Sequence, residues 1–228
     1  MKARIWEIDF LRMTAIMLMV VFHAVYDLRI FAGWDINYSS GFWYWVGKIA
    51  ALLFMCISGI STGFSSKGAV KSGVKLIAFA MVVSLATYVV FGDQYVRFGI
   101  LHFLGTCMLL YPLLVKFPSW LLAILGVVIV WSAGVVGKIF VDTAVLLPLG
   151  IRYSGFATVD YYPLVPYLAV YILGILMYKQ YYYRKESIFP FQFNNAFVSY
   201  ISRHSLAIYL LHQPLLIGII LLIKQVVN

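Results

Sequence analysis

Ionisable side chains set inside apolar sequence are the groups in this chain whose types and spacing could do chemistry. A charge at the centre of a membrane helix costs about 2.5–3.5 kcal/mol, so such groups are paired or functional. One apolar run holds four of them, Asp9, Arg12, His23 and Asp27. His23 and Asp27 are four apart and share a helix face. A carboxylate one turn from an imidazole can fix its tautomer and stabilise its charged form, as a general base needs. The plainer reading is a structural hydrogen bond near the outer interface. Asp9 and Arg12, three apart, form a snorkelling ion pair or else present the guanidinium to the phosphates of a nucleotide-like donor. His102 lies in Arg97-Phe98-Gly99-Ile100-Leu101-His102-Phe103-Leu104-Gly105. Ser205, Tyr209 and His212 step by four and three along one face, while His204 sits at a helix edge and reads as interfacial. The histidines are too dispersed for a metal site, so none is expected. Cys56 and Cys107 lie in apolar runs and read as small buried hydrophobes, not as a disulfide.

The elements that position these groups follow from composition. Of the 228 residues, 64% are hydrophobic and 11% charged, against roughly 45–50% and 25% in soluble domains. That excess cannot be hidden under a polar surface, so lipid is the solvent. The net charge of +9 falls in short segments between apolar runs, where it acts as a topology signal; nucleic-acid binding is excluded. A span needs about 20 apolar residues, and the runs predict seven helices, near 9–30, 42–64, 72–91, 98–115, 119–137, 161–179 and 204–223. The fold class is therefore all-α, a polytopic integral membrane helix bundle forming one domain over 1–228. The first run is too long for a signal-peptide core and is read as a retained helix.

Loop charges orient the bundle. With the N-terminus cytoplasmic, the inner segments hold Lys2, Arg4, Lys67, Lys71, Lys75, Lys116, Lys179, Arg184, Lys185 and Arg203. The outer ones hold Arg29, Lys48, Arg97, Lys138, Arg152 and Lys224. The excess of basic residues inside favours this orientation. The clusters Phe42-Trp43-Tyr44-Trp45 and Tyr181-Tyr182-Tyr183 fit interfacial belts, and Gly59 and Gly63 allow close helix approach. The connection over 138–160 is too apolar for a solvated loop. It either lies in the interface as a helix or folds back over a cavity. On this topology His23, some 21 Å along the first helix from Asp9, and His102, about 7.5 Å below the outer boundary, reach nearly one depth. His23, His102 and Asp27 are thus expected to face one cavity, with either histidine as base and Asp27 as its orienting carboxylate.

The motifs also resemble a family. Glu7-Ile8-Asp9-Phe10-Leu11-Arg12 followed by Val20-Val21-Phe22-His23 is similar to the start of the heparan-α-glucosaminide N-acetyltransferase catalytic-domain family, in its prokaryotic branch. Arg97-Phe98-Gly99-Ile100-Leu101-His102, Asp160-Tyr161-Tyr162-Pro163-Leu164 and His204-Ser205-Leu206-Ala207-Ile208-Tyr209-Leu210-Leu211-His212-Gln213-Pro214 follow in the same order. The resemblance runs from residue 7 to about 220. In the family's mammalian lysosomal member the attributed active histidine lies in the segment after the first helix; here that segment, residues 31–41, contains no histidine, and Met13 replaces the glycine that usually follows the arginine.

The resemblance implies acyl transfer from acetyl-CoA, or a related acyl-CoA, to an amine or hydroxyl of a saccharide-like acceptor across the plasma membrane of a prokaryote. Acyl-CoA is then a co-substrate, with no permanently bound cofactor, and a homo-oligomer is allowed. Asp9 and Arg12 would take the donor; His23, Asp27 and His102 would carry the chemistry. Asp160, Tyr161, Ser205, Tyr209 and His212 would line the cavity. The competing reading is a small-molecule or proton-coupled permease with the same polar lining. An internal repeat or paired broken helices would favour it, and the sequence shows neither.

Overall fold

The computed structural model describes residues 5–227; Lys2 and Arg4, assigned above to the inner face, lie outside the described residues. The described chain is helical: α1 (Trp6–Phe31), α2 (Gly41–Phe64), α3 (Ala69–Phe91), α4 (Ile100–Leu114), α5 (Ser119–Val136), α6 (Leu164–Met177), α7 (Ala196–Arg203) and α8 (Ser205–Val227). Six of these helices, with their flanking turns, are long and apolar enough to cross a bilayer. The protein is a multi-pass membrane protein. Its outward faces agree, since Val89 on α3 and Trp131 on α5 are 79% and 78% exposed, as lipid-facing apolar side chains are.

Contacts divide the chain into two compact units, 1–54 with 186–228, and 55–185, the boundary falling inside α2. In the first unit α1 buries Ile8, Ala15, Ile16, Met19 and Val25. His23 meets His212, Asp27 meets Gln213, and Lys224 Nζ donates to the Phe31 carbonyl at 3.1 Å, so α1 and α8 run parallel. Glu7 holds the chain that leads to α7, accepting from Ile188 N–H (2.9 Å) and Ser187 Oγ (3.0 Å). The Asn195 side chain then caps α7 through Phe197 and Val198 N–H.

Parallel α1 and α8 bear on how the fourth expected span counts. Two parallel membrane helices are separated by an odd number of crossings. The long helices α2, α3, α5 and α6 are four, and α4 is a shorter apolar helix than these. Its 15 residues make only about 22 Å, shorter than the run 98–115 predicts. The remaining depth is covered by extended chain in which Val96, Phe98 and Gly99 are buried. Irregular backbone at such depth is tolerated only when protein satisfies it. Here Val96 N–H donates to Thr87 Oγ1 (3.1 Å), and the Phe98 carbonyl accepts from Tyr162 N–H (3.0 Å).

In this second unit α3 packs antiparallel on α4 and α5 on α6 around Phe103, Cys107, Tyr111, Leu122, Tyr171 and Ile175. Gly59 packs as expected. A Cβ there would strike the Tyr171 carbonyl, and one at Gly174 would strike the Cys56 carbonyl. Gly63 lies against the Tyr178 ring. The connection 138–160 folds back and does not form an interfacial helix. It has a single 3-10 turn at Leu147–Leu149, with Leu147 buried. The Tyr161 hydroxyl donates to the Leu147 carbonyl (2.7 Å), and Arg97 donates to the Ala157 carbonyl (3.2 Å).

Candidate functional site

The first unit gathers four polar side chains from α1 and α8. The rings of His23 and His212 lie 4.7 Å apart, nearly perpendicular at 70°. His23 Nδ1 is 2.9 Å from the Met19 carbonyl and His212 Nδ1 is 2.6 Å from the Tyr209 carbonyl. A carbonyl only accepts, so in each neutral ring Nδ1 carries the proton and Nε2 the lone pair. Both imidazoles are thereby fixed as bases by their own helices, through carbonyls three and four residues back.

Asp27 is fully buried at 0% exposure. Its Oδ1 accepts from Gln213 Nε2 at 2.8 Å. This corrects the expected pairing within α1. Residues four apart share a face, but the carboxylate turns to an amide on α8, and the Met19 carbonyl sets the His23 tautomer. Asp27 Oδ2, His212 Nε2 and Gln213 Oε1 are buried without a partner. With Gln213 donating to Asp27, all three of these atoms are acceptors when Asp27 is ionised.

Nearer the start of α1, Asp9 and Arg12 share a face as their spacing predicts, and they converge on Ser202 of α7. Arg12 Nη1 donates to Ser202 Oγ (3.0 Å), which donates to Asp9 Oδ1 (2.7 Å). Ser202 and Asp9 are buried. This arrangement holds one terminal nitrogen of the guanidinium between α1 and α7.

His102 stands in the second unit. Its Nε2 is 3.4 Å from Ser84 Oγ, whose hydroxyl donates to the Val96 carbonyl at 2.5 Å. Nε2 is therefore the donor in the neutral ring, and Nδ1 carries a lone pair that is buried without a partner. Asp160 caps α4: its Oδ2 accepts from Ile100 N–H at 3.0 Å, favourable at the positive end of a helix. Burial nonetheless pushes its carboxyl up to about 6, against the Ile100 hydrogen bond that lowers it. Tyr161 holds the folded-back connection, as described. Ser205 is half-buried at the start of α8, the Tyr209 ring lies 5.6 Å from His212, and His204 is exposed.

Three residues that complete these groups carried no assignment from sequence: Ser202, Gln213 and Ser84. Gln213 adjoins His212, which is a usable signal. Ser202 and Ser84 are lone hydroxyls whose partners lie 193 and 18 residues away.

No curated protein and no solved structure matches the chain. The family described as heparan-alpha-glucosaminide N-acetyltransferase, catalytic, matches residues 4–214. With that match spanning most of the 228 residues, on a polytopic helical frame, the chain belongs to this family of membrane acetyltransferases.

Proposed function

We propose that the protein moves an acetyl group from cytosolic acetyl-CoA to a primary amine on a saccharide-like acceptor at the outer side of a prokaryotic plasma membrane. Arg12, set on α1 and α7 by Ser202, takes a phosphate of the donor at the cytoplasmic end. His23 lies 11 residues further along α1, about 16 Å, and acts as base near the opposite end. The thioester carbonyl is then attacked by the amine nitrogen, and CoA leaves as its thiol.

The observation that carries the amine reading is the acceptor character that the α1–α8 cluster has with Asp27 ionised. The unpartnered atoms of Asp27, His212 and Gln213 accept, and the His23 ring beside them offers a lone pair. A buried polar atom without a partner costs about 1–3 kcal/mol. A group rich in N–H donors relieves several at once, and an ammonium or amine does so where a single hydroxyl does not.

The direct test is thermal stabilisation of purified protein by a panel of CoA esters, because only a ligand that prefers the folded state raises apparent stability. Acetyl-CoA should raise the midpoint where adenine nucleotides do not. No shift with any CoA ester favours the permease reading.

A further inference from the structure

Resting on the amine reading above, the stoichiometry of the reaction asks for more than one imidazole. An alkylamine arrives as R–NH3+ and leaves as an amide, R–NH–CO–CH3. Its nitrogen gives up two protons while the N–C bond forms and the C–S bond breaks. One proton ends on the CoA sulfur and the other must be held by a base. A hydroxyl acceptor needs only one such removal.

The structure supplies two bases in contact. His23 and His212 are 4.7 Å apart by ring centroid, both with Nδ1 committed to a backbone carbonyl and Nε2 left as the lone pair. His212 is 8% exposed, and its Nε2 has no partner. A merely structural imidazole would place that lone pair against a donor, because leaving it buried and unmet is costly.

We propose that His23 and His212 serve as two bases on one nitrogen. One takes the ammonium proton and frees the attacking lone pair. The other takes the N–H proton from the tetrahedral intermediate and passes it to the departing CoA sulfur. Protons and electrons then balance without any further reactant, and one proton stays on the pair until solvent removes it. On the neighbouring turns of α1 and α8 the other ionisable side chains are Tyr26, Asp27 and Tyr209, and the first half of α2, in the same unit, carries Tyr44 and Lys48. Among these Asp27 is held by Gln213.

The test is the pH dependence of kcat for acetyl transfer from acetyl-CoA to glucosamine, across the range in which imidazole titrates. The wild-type protein should show an acid-side limiting slope of two in log kcat. His212→Gln and His23→Gln should each show a slope of one, with turnover about 10²–10⁴-fold lower and acetyl-CoA binding kept. Methoxyamine, which arrives uncharged, supplies a second measurement. With it the wild-type slope should fall to one, and each variant should lose less turnover than with glucosamine. A wild-type slope of one with glucosamine, or His212→Gln that keeps either the slope of two or normal turnover, overturns the two-base proposal and leaves an amine acetyltransferase with one base. Failure of the wild-type protein to acetylate either amine overturns the amine reading itself.

Discussion

His23, Asp27 and Arg12 stand out at the residue scale because a carboxylate, an imidazole and a guanidinium have no business in hydrocarbon unless something holds them. What holds them was not legible. Asp27 is held by Gln213 from α8, and Asp9 and Arg12 by Ser202 from α7. Such partners come from the far end of the sequence, and spacing along one helix says nothing about them. Two outcomes follow at this scale. Arg12→Ala should weaken acetyl-CoA binding more than it lowers kcat, because a phosphate contact contributes alike in ground and transition states. Arg12→Lys should restore binding only in part, lacking the planar fork. Titrating acetyl-CoA against each variant checks both. His102→Gln, measured beside His23→Gln, tells which histidine acts on the acceptor: the first should leave kcat within a few-fold while the second lowers it about 10²–10⁴-fold.

Helix existence was legible at the scale of the element, because each crossing demands about 20 apolar residues. Lengths and joints were not. The run 98–115 contains a helix of only 15 residues, since buried backbone pairing with Thr87 and Tyr162 substitutes for a helical turn. The eight-residue α7 has no counterpart among the apolar runs: its stretch is polar enough to read as loop, and Asn195 alone marks its start. Gly59 reads as packing from its spacing to Gly63, whereas its partner Gly174 offers no such signal. Gly174→Ala should cost about 1–3 kcal/mol by overpacking, since its Cβ meets the Cys56 carbonyl. Gly218→Ala, with nothing within 4 Å, should be neutral or slightly stabilising. Denaturation midpoints in one detergent compare the two. Asp160 gives the α4 cap a pH dependence. Its carboxyl, raised to about 6 from 3.8, holds its proton in the folded state where the unfolded chain has lost it. Stability should therefore fall as pH rises from about 4 to about 6, by at most about 3 kcal/mol. Asp160→Asn should flatten that slope while keeping an acceptor for Ile100.

At the scale of the whole molecule, the proposed transfer across the membrane requires different chemistry at the two faces, and that asymmetry is what separates a transferase from a pore. Six helices are long and apolar enough to cross, against the seven that the apolar runs predict. Cysteines introduced at Lys67 and Arg184 should react with impermeant thiol reagents from the cytoplasmic side alone, and one at Asp142 from the outer side alone. The most direct measurement reconstitutes the protein in sealed vesicles with acetyl-CoA only at the cytoplasmic face and glucosamine only at the outer face. N-acetylglucosamine should accumulate with glucosamine on the outer side, at a rate that His23→Gln lowers about 10²–10⁴-fold. Glucosamine that crosses unmodified, or product that forms only when both substrates share one side, would contradict acyl transfer across the membrane.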